Sequence, residues 1–275
     1  ADVVLVAFAA TRTRFPRAVY VGYPVREEIR PRDQGEAKDR LGIPRDTQVV
    51  FAFGGSMGAR TINRAVIEAL PYFKTRSNLR IIHGTGKRLT AYDPAADIQR
   101  KLTEVGLTSS DLDGWYESHE FIEQIHVYYA AADIVVARGG AGTVAELCAA
   151  GRPSIIIPKS NLAGDHQVMN ALELVNAGAS TIVYENVRGA NGSTEEDVSG
   201  RVLADRIVSL LDRPQALADM ADAARSLATP EAVPVTVDII MRGLNSEQID
   251  YANTGLPVPQ SSTARLSTLA WLSGG

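Results

Sequence analysis

From Gln48 onward the chain alternates short β-branched or aromatic runs with longer stretches whose apolar residues recur every three or four positions. That alternation is the signature of βαβ units building a parallel sheet. Val49-Val50-Phe51-Ala52-Phe53 is the first strand of this region. It stops at Gly54-Gly55-Ser56-Met57-Gly58, after which Ile62, Val66, Ile67 and Leu70 share one helix face, with Pro71 near the helix end. Leu79 to Ile82 predicts the next strand, followed by a helix around Ile98 to Val105 and a strand over Glu117 to Phe121. Ile134 to Ala137 enters Arg138-Gly139-Gly140-Ala141-Gly142-Thr143 and then a helix that Gly151 should close from the favoured C-terminal position. Strands over Ser154 to Ile157 and Thr181 to Tyr184 flank a helix from Gln167 to Asn176, and Val202 to Met241 reads as helical. Upstream, Val3 to Phe8 and Val19 to Val21 are short strands. Around them lie Arg12, Arg14, Arg17, Arg26, Arg30 and Arg32, with Pro16 and Pro31 interrupting regular structure, as in a solvated connecting segment. The expected class is α/β, a Rossmann-like parallel sheet with helices on both faces. Residues 46–244 form the sheet domain, and 245–275, rich in Ser, Thr, Pro, Gly and Asn, form a loosely ordered tail.

Composition narrows the partners. A chain of 275 residues with 45% apolar and 22% charged residues can bury a sizeable core. Its net charge of −4 and pI near 5.7 remove the electrostatic case for a nucleic-acid partner. Val3 to Ala10, the longest apolar run, is far short of the roughly 18 to 20 residues of a spanning helix. A single cysteine, Cys148, suits a reducing, cytoplasmic setting. The start, Ala-Asp-Val-Val, has no Met and no signal-peptide pattern, so the chain reads as cut from something longer.

Three clusters carry chemistry. The glycine turn around Gly55 and Ser56 leaves a strand and opens a helix, so unpaired backbone N–H groups and the positive helix end surround one small volume suited to a pyrophosphate. The same residues spell G-x-S-x-G, the nucleophile elbow of serine hydrolases, for which Asp133 and His166 could complete a triad. In the second cluster Thr143 and Glu146 stand three residues apart. They form either a capping box or a site where Glu146 accepts hydrogen bonds from a ribose diol. The third, Gly164-Asp165-His166-Gln167 with Asn170, opens a helix with donors and acceptors suited to sugar hydroxyls, or with Asp165 as a simple N-cap. All three follow strands, where α/β sheets bind ligands. Gly84-Thr85-Gly86-Lys87 lacks the remaining phosphate-loop residues and reads as a loop. His83, His119, His126 and His166 show no paired spacing, so no metal is expected. Asn191-Gly192-Ser193 reads as a turn.

Taken in order, Gly22-Tyr23-Pro24-Val25-Arg26, Gly54 to Ala59, Glu120-Phe121-Ile122, Arg138 to Glu146 and His166 to Ala171 resemble the C-terminal half of the MurG family. These peptidoglycan N-acetylglucosaminyltransferases convert lipid I to lipid II, and the likeness runs from about Ala1 to Met241. It implies the C-terminal domain of a GT-B fold, with residues 1–45 a remnant of the N-terminal domain plus the interdomain linker. It also implies UDP-GlcNAc as donor substrate, no cofactor, and transfer with inversion. By the same likeness Phe121 and Ile122 would line a uracil pocket and Glu146 would hold the ribose. Arg26, Gly55 and Ser56 would face the diphosphate, Ala141, Gly142 and Thr143 would border it, and His166, Gln167 and Asn170 would meet the GlcNAc. Two positions depart from the family pattern: Tyr23 stands where Asn is usual and Met57 where Gln is usual. The family's N-terminal domain is represented only by its last strand, so the general base, the lipid-linked acceptor and contact with the inner membrane face would belong to the full-length protein. An isolated chain of this kind is expected to be inactive. A split or related GT-B transferase with another lipid acceptor, and the Ser56 hydrolase, are the alternatives.

Overall fold

The computed structural model describes residues 3–160, 165–190, 193–245, 249–250 and 254–258. Its centre is a six-stranded, wholly parallel sheet. In chain order the strands are β3 (Gln48–Phe53), β4 (Leu79–Gly84), β5 (Tyr116–His119), β6 (Ile134–Ala137), β7 (Ser154–Ile156) and β8 (Ser180–Ile182), and across the sheet they run β5-β4-β3-β6-β7-β8. The chain builds outward from β3 to β5, then returns to the other side of β3 for β6. That reversal opens a crevice beyond the carboxyl ends of β3 and β6.

Period-two alternation assigns the faces. Val50, Ala52, Ile81, Ile134 and Val136 pack against α2 (Arg60–Ala69), α3 (Pro94–Glu104) and α8 (Gly200–Leu211). The alternate residues Val49, Phe51, Phe53, Ile82, Val135 and Ala137 pack against α5 (Ile125–Ala131), α6 (Ala141–Ala150) and α7 (His166–Asn176). Strands buried on both faces explain the nearly continuous hydrophobic runs in the sequence. Gly151 ends α6 with φ 63°, as its position predicts.

The N-terminal segment forms a parallel pair, β1 (Val4–Val6) and β2 (Ala18–Tyr20), joined by a 3-10 turn over Ala9–Arg14. The predicted helical stretch from Val202 to Met241 is three helices: α8, α9 (Pro214–Ser226) and α10 (Ala232–Leu244). Pro214 begins α9, because proline lacks the N–H a helix interior needs. Through Ile239, α10 packs on Val19 and Val21. From the predicted tail, Leu256 N–H donates to the Tyr20 carbonyl at 2.7 Å; residues 259–275 lie outside the described residues.

Besides α5 and the shorter helical turns, two elements were not foreseen. Helix α1 (Gln34–Arg40) lies inside the expected connecting segment, with Asp33 accepting from the Glu36 N–H at 2.7 Å as its N-cap. It is tied to the sheet domain by Asp133, whose carboxylate accepts from the Val49 N–H at 2.7 Å, the Gln34 amide at 3.0 Å and Lys38 Nζ at 3.4 Å. The other is an antiparallel hairpin, β9 (Asn186–Ala190) with β10 (Ser193–Asp197), flanking the expected turn whose Asn191 and Gly192 lie outside the described residues. A 3-10 turn over Leu70–Phe73 and the short helix α4 (Ser109–Leu112) complete the list of elements. Strand β5 is shorter than expected, as are β1, β7 and β8. Because β5 ends at His119, whose carbonyl accepts from Thr85 N–H, Phe121 sits in the loop beyond it.

Candidate nucleotide cleft

The crevice at the β3/β6 reversal is a cleft of about 370 Å³. Its floor is Phe51 and Phe53, stacked at 4.9 Å between ring centroids. On one wall Gly55 and Ser56 follow β3, beside Gly84 at the end of β4 and Gly86 in the loop after it. These two loops touch backbone to backbone: a Cβ on Gly58 would lie 2.1 Å from the Thr85 carbonyl oxygen, and Gly58 has φ +71°. Only glycine fits both conditions. The β4 loop is thus a wall of the cleft, which its reading as a plain loop had missed.

That wall is set from below by a buried polar network. Asn63 Nδ2 donates to the Thr85 carbonyl at 2.9 Å, so its Oδ1 is left to accept from His83 Nε2 at 3.1 Å, and His83 Nδ1 accepts from the Tyr116 hydroxyl at 3.1 Å. Complete burial pulls the His83 pKa down to about 3, so the imidazole is neutral and the tautomer is fixed.

Phe121, Ile122, Glu120, Glu123 and Ile125 form the far end of the cleft. Lys87 Nζ lies 4.4 Å from the centre of the exposed Phe121 ring, a cation–π contact that holds the ring at the rim.

The opposite side belongs to α6. Gly140 occupies its N-cap without any side-chain cap, and the first helical bond is Val144 N–H to the Gly140 carbonyl. The N–H groups of Ala141, Gly142 and Thr143 therefore have no helical acceptor and supply the positive helix end. Gly142, Thr143 and Glu146 line the cleft. Glu146 does not close a capping box. One carboxylate oxygen, Oε2, accepts from the Tyr129 hydroxyl at 2.9 Å, and Oε1 stands 3.6 Å from the Arg26 guanidinium. Arg26, also a lining residue, is 60% exposed, so this pair is weak and easily parted.

Eight of the twelve sequence-derived site residues line this cleft: Arg26, Gly55, Ser56, Phe121, Ile122, Gly142, Thr143 and Glu146. Ala141 opens α6 beside it, whereas His166, Gln167 and Asn170 stand outside its lining. Asn170 Nδ2 donates to the Gly139 carbonyl at 2.9 Å and Gln167 Oε1 accepts from the Lys159 N–H at 3.0 Å, so both side chains hold the loops around α7. His166 is exposed at the start of α7. Asp165 sits at the α7 N-cap with φ 46° and makes no side-chain cap, while Gly164 lies outside the described residues. Of the two departures from the family pattern, Tyr23 lies over Gly142, 3.5 Å from where a Cβ would stand, and Met57 is exposed.

The Asp133 triad expected for a hydrolase is excluded by topology. Asp133 binds Val49 at the amino end of β3, whereas Ser56 follows its carboxyl end, and at roughly 3.3 Å per residue the strand separates them. The acid is committed to Val49, Gln34 and Lys38 at the wrong edge of the sheet.

Beside the cleft, the Glu185 side chain is fully buried and ties the start of α2 to the loops that follow β6, β7 and β8. It pairs with Arg138 at 2.6 Å and accepts from the Thr61 hydroxyl at 2.6 Å and the Ser160 N–H at 2.8 Å. Burial pushes the Glu185 carboxyl up, but the Ser160 N–H, the Thr61 hydroxyl and the Arg138 charge outweigh it and hold the group below its usual range. No group of three or more His, Cys, Asp and Glu among the described residues could hold a metal ion, and no described helix is long and apolar enough to cross a membrane.

The sheet order and its helix layers define a Rossmann-like domain of the GT-B glycosyltransferase class. The chain belongs to glycosyltransferase family 28: residues 49–233 match the family's C-terminal domain. It is 33% identical over 238 residues to the UDP-N-acetylglucosamine--N-acetylmuramyl-(pentapeptide) pyrophosphoryl-undecaprenol N-acetylglucosamine transferase of Desulforudis audaxviator, covering 86% of this chain and 60% of that protein. The enzyme of the same name from Anaeromyxobacter dehalogenans is 36% identical over 84% of this chain and 54% of its own length. Among solved structures, MurG from Acinetobacter baumannii superposes with a TM-score of 0.63 at 26% identity, over 88% of this chain and 60% of that one. The chain thus spans between half and two thirds of the length of these relatives.

Proposed function

We propose that the cleft binds UDP-N-acetylglucosamine and that the full-length protein transfers its GlcNAc to a lipid-linked muramoyl-pentapeptide acceptor, turning lipid I into lipid II. The observation that carries this reading is the placement of Glu146 in the same cleft as the open N-terminus of α6 and the Gly55-Ser56 turn. A carboxylate suits a ribose diol, and the helix end, the glycine N–H groups and Arg26 suit the adjoining diphosphate. Ile122 and Phe121, which line the same cleft, suit the base. His166, at the same sheet edge, is proposed to meet the sugar together with Gln167 and Asn170.

In the reaction, a hydroxyl of the acceptor attacks the anomeric carbon, the bond from that carbon to the diphosphate oxygen breaks with inversion, and UDP leaves. Its developing charge is stabilised by the α6 N–H groups and Arg26, with no metal or cofactor required by this scheme. The base that takes the acceptor proton and the face that meets the inner surface of the membrane are assigned to the part of the relatives outside this chain.

The test is a thermal-shift panel of this chain with UDP-GlcNAc, UDP-Gal and UDP-Glc. Stabilisation strongest with UDP-GlcNAc supports the reading, and no stabilisation by any of the three overturns it. The isolated chain should show no transfer to lipid I; measurable transfer would contradict the assignment of the base.

A further inference from the structure

Glu146 can read a diol only if its carboxylate is held in one orientation, because the terminal torsion of a glutamate is broad. The residue that holds it is on α5. Tyr129 is fully buried, its ring set edge-on to Phe51 and Phe53 at 5.9 Å from each, and its hydroxyl donates to Glu146 Oε2 at 2.9 Å. Burial, then the neighbouring Glu146 charge, pushes the phenol pKa well up, so this hydroxyl is a donor at neutral pH. A carboxylate oxygen accepts about two hydrogen bonds, so Oε2 keeps one lone pair for a ligand and Oε1 keeps both once the exposed Arg26 swings to a phosphate.

We propose that Tyr129 is a positioning residue that locks the Glu146 carboxylate and thereby makes the cleft select a ribonucleotide, with its 2′,3′-diol, over a 2′-deoxyribonucleotide. This rests on the reading of Glu146 as the ribose group. Tyr129 touches no ligand; it acts through the carboxylate alone.

The experiment is a two-by-two comparison by calorimetry: the whole chain and its Tyr129→Phe variant, each titrated with UDP and with 2′-deoxy-UDP. The wild-type chain should prefer UDP. In the variant, affinity for UDP should fall about three- to tenfold, the loss associated with freeing one side chain. Affinity for 2′-deoxy-UDP should stay within about twofold, since a nearly isosteric loss of one hydroxyl leaves the aromatic floor in place. A merely structural role would weaken both ligands alike, so an undiminished preference for UDP in the variant overturns the proposal. If the wild-type chain binds UDP without any preference, the ribose reading of Glu146 fails first, and the proposal with it. A second measurement does not depend on the variant folding. The protected hydroxyl proton of Tyr129, observed by NMR in the wild-type chain, should shift on addition of UDP and stay in place with inorganic pyrophosphate; no shift with UDP overturns the proposal.

Discussion

Acid should weaken the fold through one imidazole. His83 is fully buried between Asn63 and Tyr116, and both of its ring nitrogens are engaged in the neutral form. Its folded pKa of about 3 lies well below the ordinary 6.5, at which the same ring titrates in the unfolded chain. Between those values the unfolded state carries one proton more. The stabilisation is therefore complete above pH 6.5 and is lost progressively as the pH falls toward 3. Linkage puts the loss at about 2 kcal/mol between pH 7.5 and pH 5, and at about 4 kcal/mol by pH 3. The assay is urea unfolding of the wild-type chain and a His83→Gln variant at pH 7.5, 6.5 and 5. Whatever the substitution costs at pH 7.5, the variant lacks the titrating group, so the stability gap between the two proteins should shrink by about 2 kcal/mol at pH 5. A gap that stays constant across this range refutes the assignment of a buried neutral imidazole. Because the network ends on the Thr85 carbonyl, the same acid transition should loosen the glycine wall of the cleft.

Other substitutions probe the supports of the site. Gly58→Ala places a side chain at φ +71° and against the Thr85 carbonyl, and should cost at least about 1–3 kcal/mol in thermal or urea unfolding; an unchanged midpoint would mean that the two loops do not touch. Arg138→Leu strands the buried Glu185 charge and should cost about 3–5 kcal/mol, or roughly 6–20 °C in melting temperature. Because the Glu185 pKa is lowered on folding, its contribution is present above the ordinary glutamate range and is lost as the pH falls through the folded value; Glu185→Gln should flatten that part of the acid profile. A fluorophosphonate probe should leave Ser56 unlabelled, and labelling would restore the hydrolase reading that the position of Asp133 excludes.

The elements most legible in the sequence are those whose local signals and burial agree. Ile134–Ala137 is a β-branched run bounded by a glycine turn, and it is strand β6 to the residue. Gly151 likewise marks the end of α6. Helix α1 escaped because its pattern offers little apolar periodicity; Lys38 and Gln34 anchor it through Asp133, a contact about a hundred residues away in sequence. Its local sign was the Asp33-x-x-Glu36 cap. The β9–β10 hairpin escaped because its strands are polar and pair mainly with each other. At the site, glycine turns and the acidic residue after one of them were readable because anion and diol chemistry demand those types. The aromatic floor and its support were not, since Phe51 and Phe53, and Tyr129 packed edge-on against them, are indistinguishable from core residues until topology places them beside the crevice. Asn170, proposed to meet the sugar, also holds the Gly139 loop through its amide, a structural bond that its place at a helix start does not announce.

The central claim is that Glu146 and the α6 helix end share one uridine diphosphate. Calorimetric titration of the wild-type chain and Glu146→Ala with UDP tests it most directly. Saturable binding by the wild-type chain, at least about tenfold weaker in the variant, is the expected result, since the change deletes charge-assisted hydrogen bonds worth about 1.5–3 kcal/mol each. Equal affinity in the two proteins, or no binding by the wild-type chain, would contradict it.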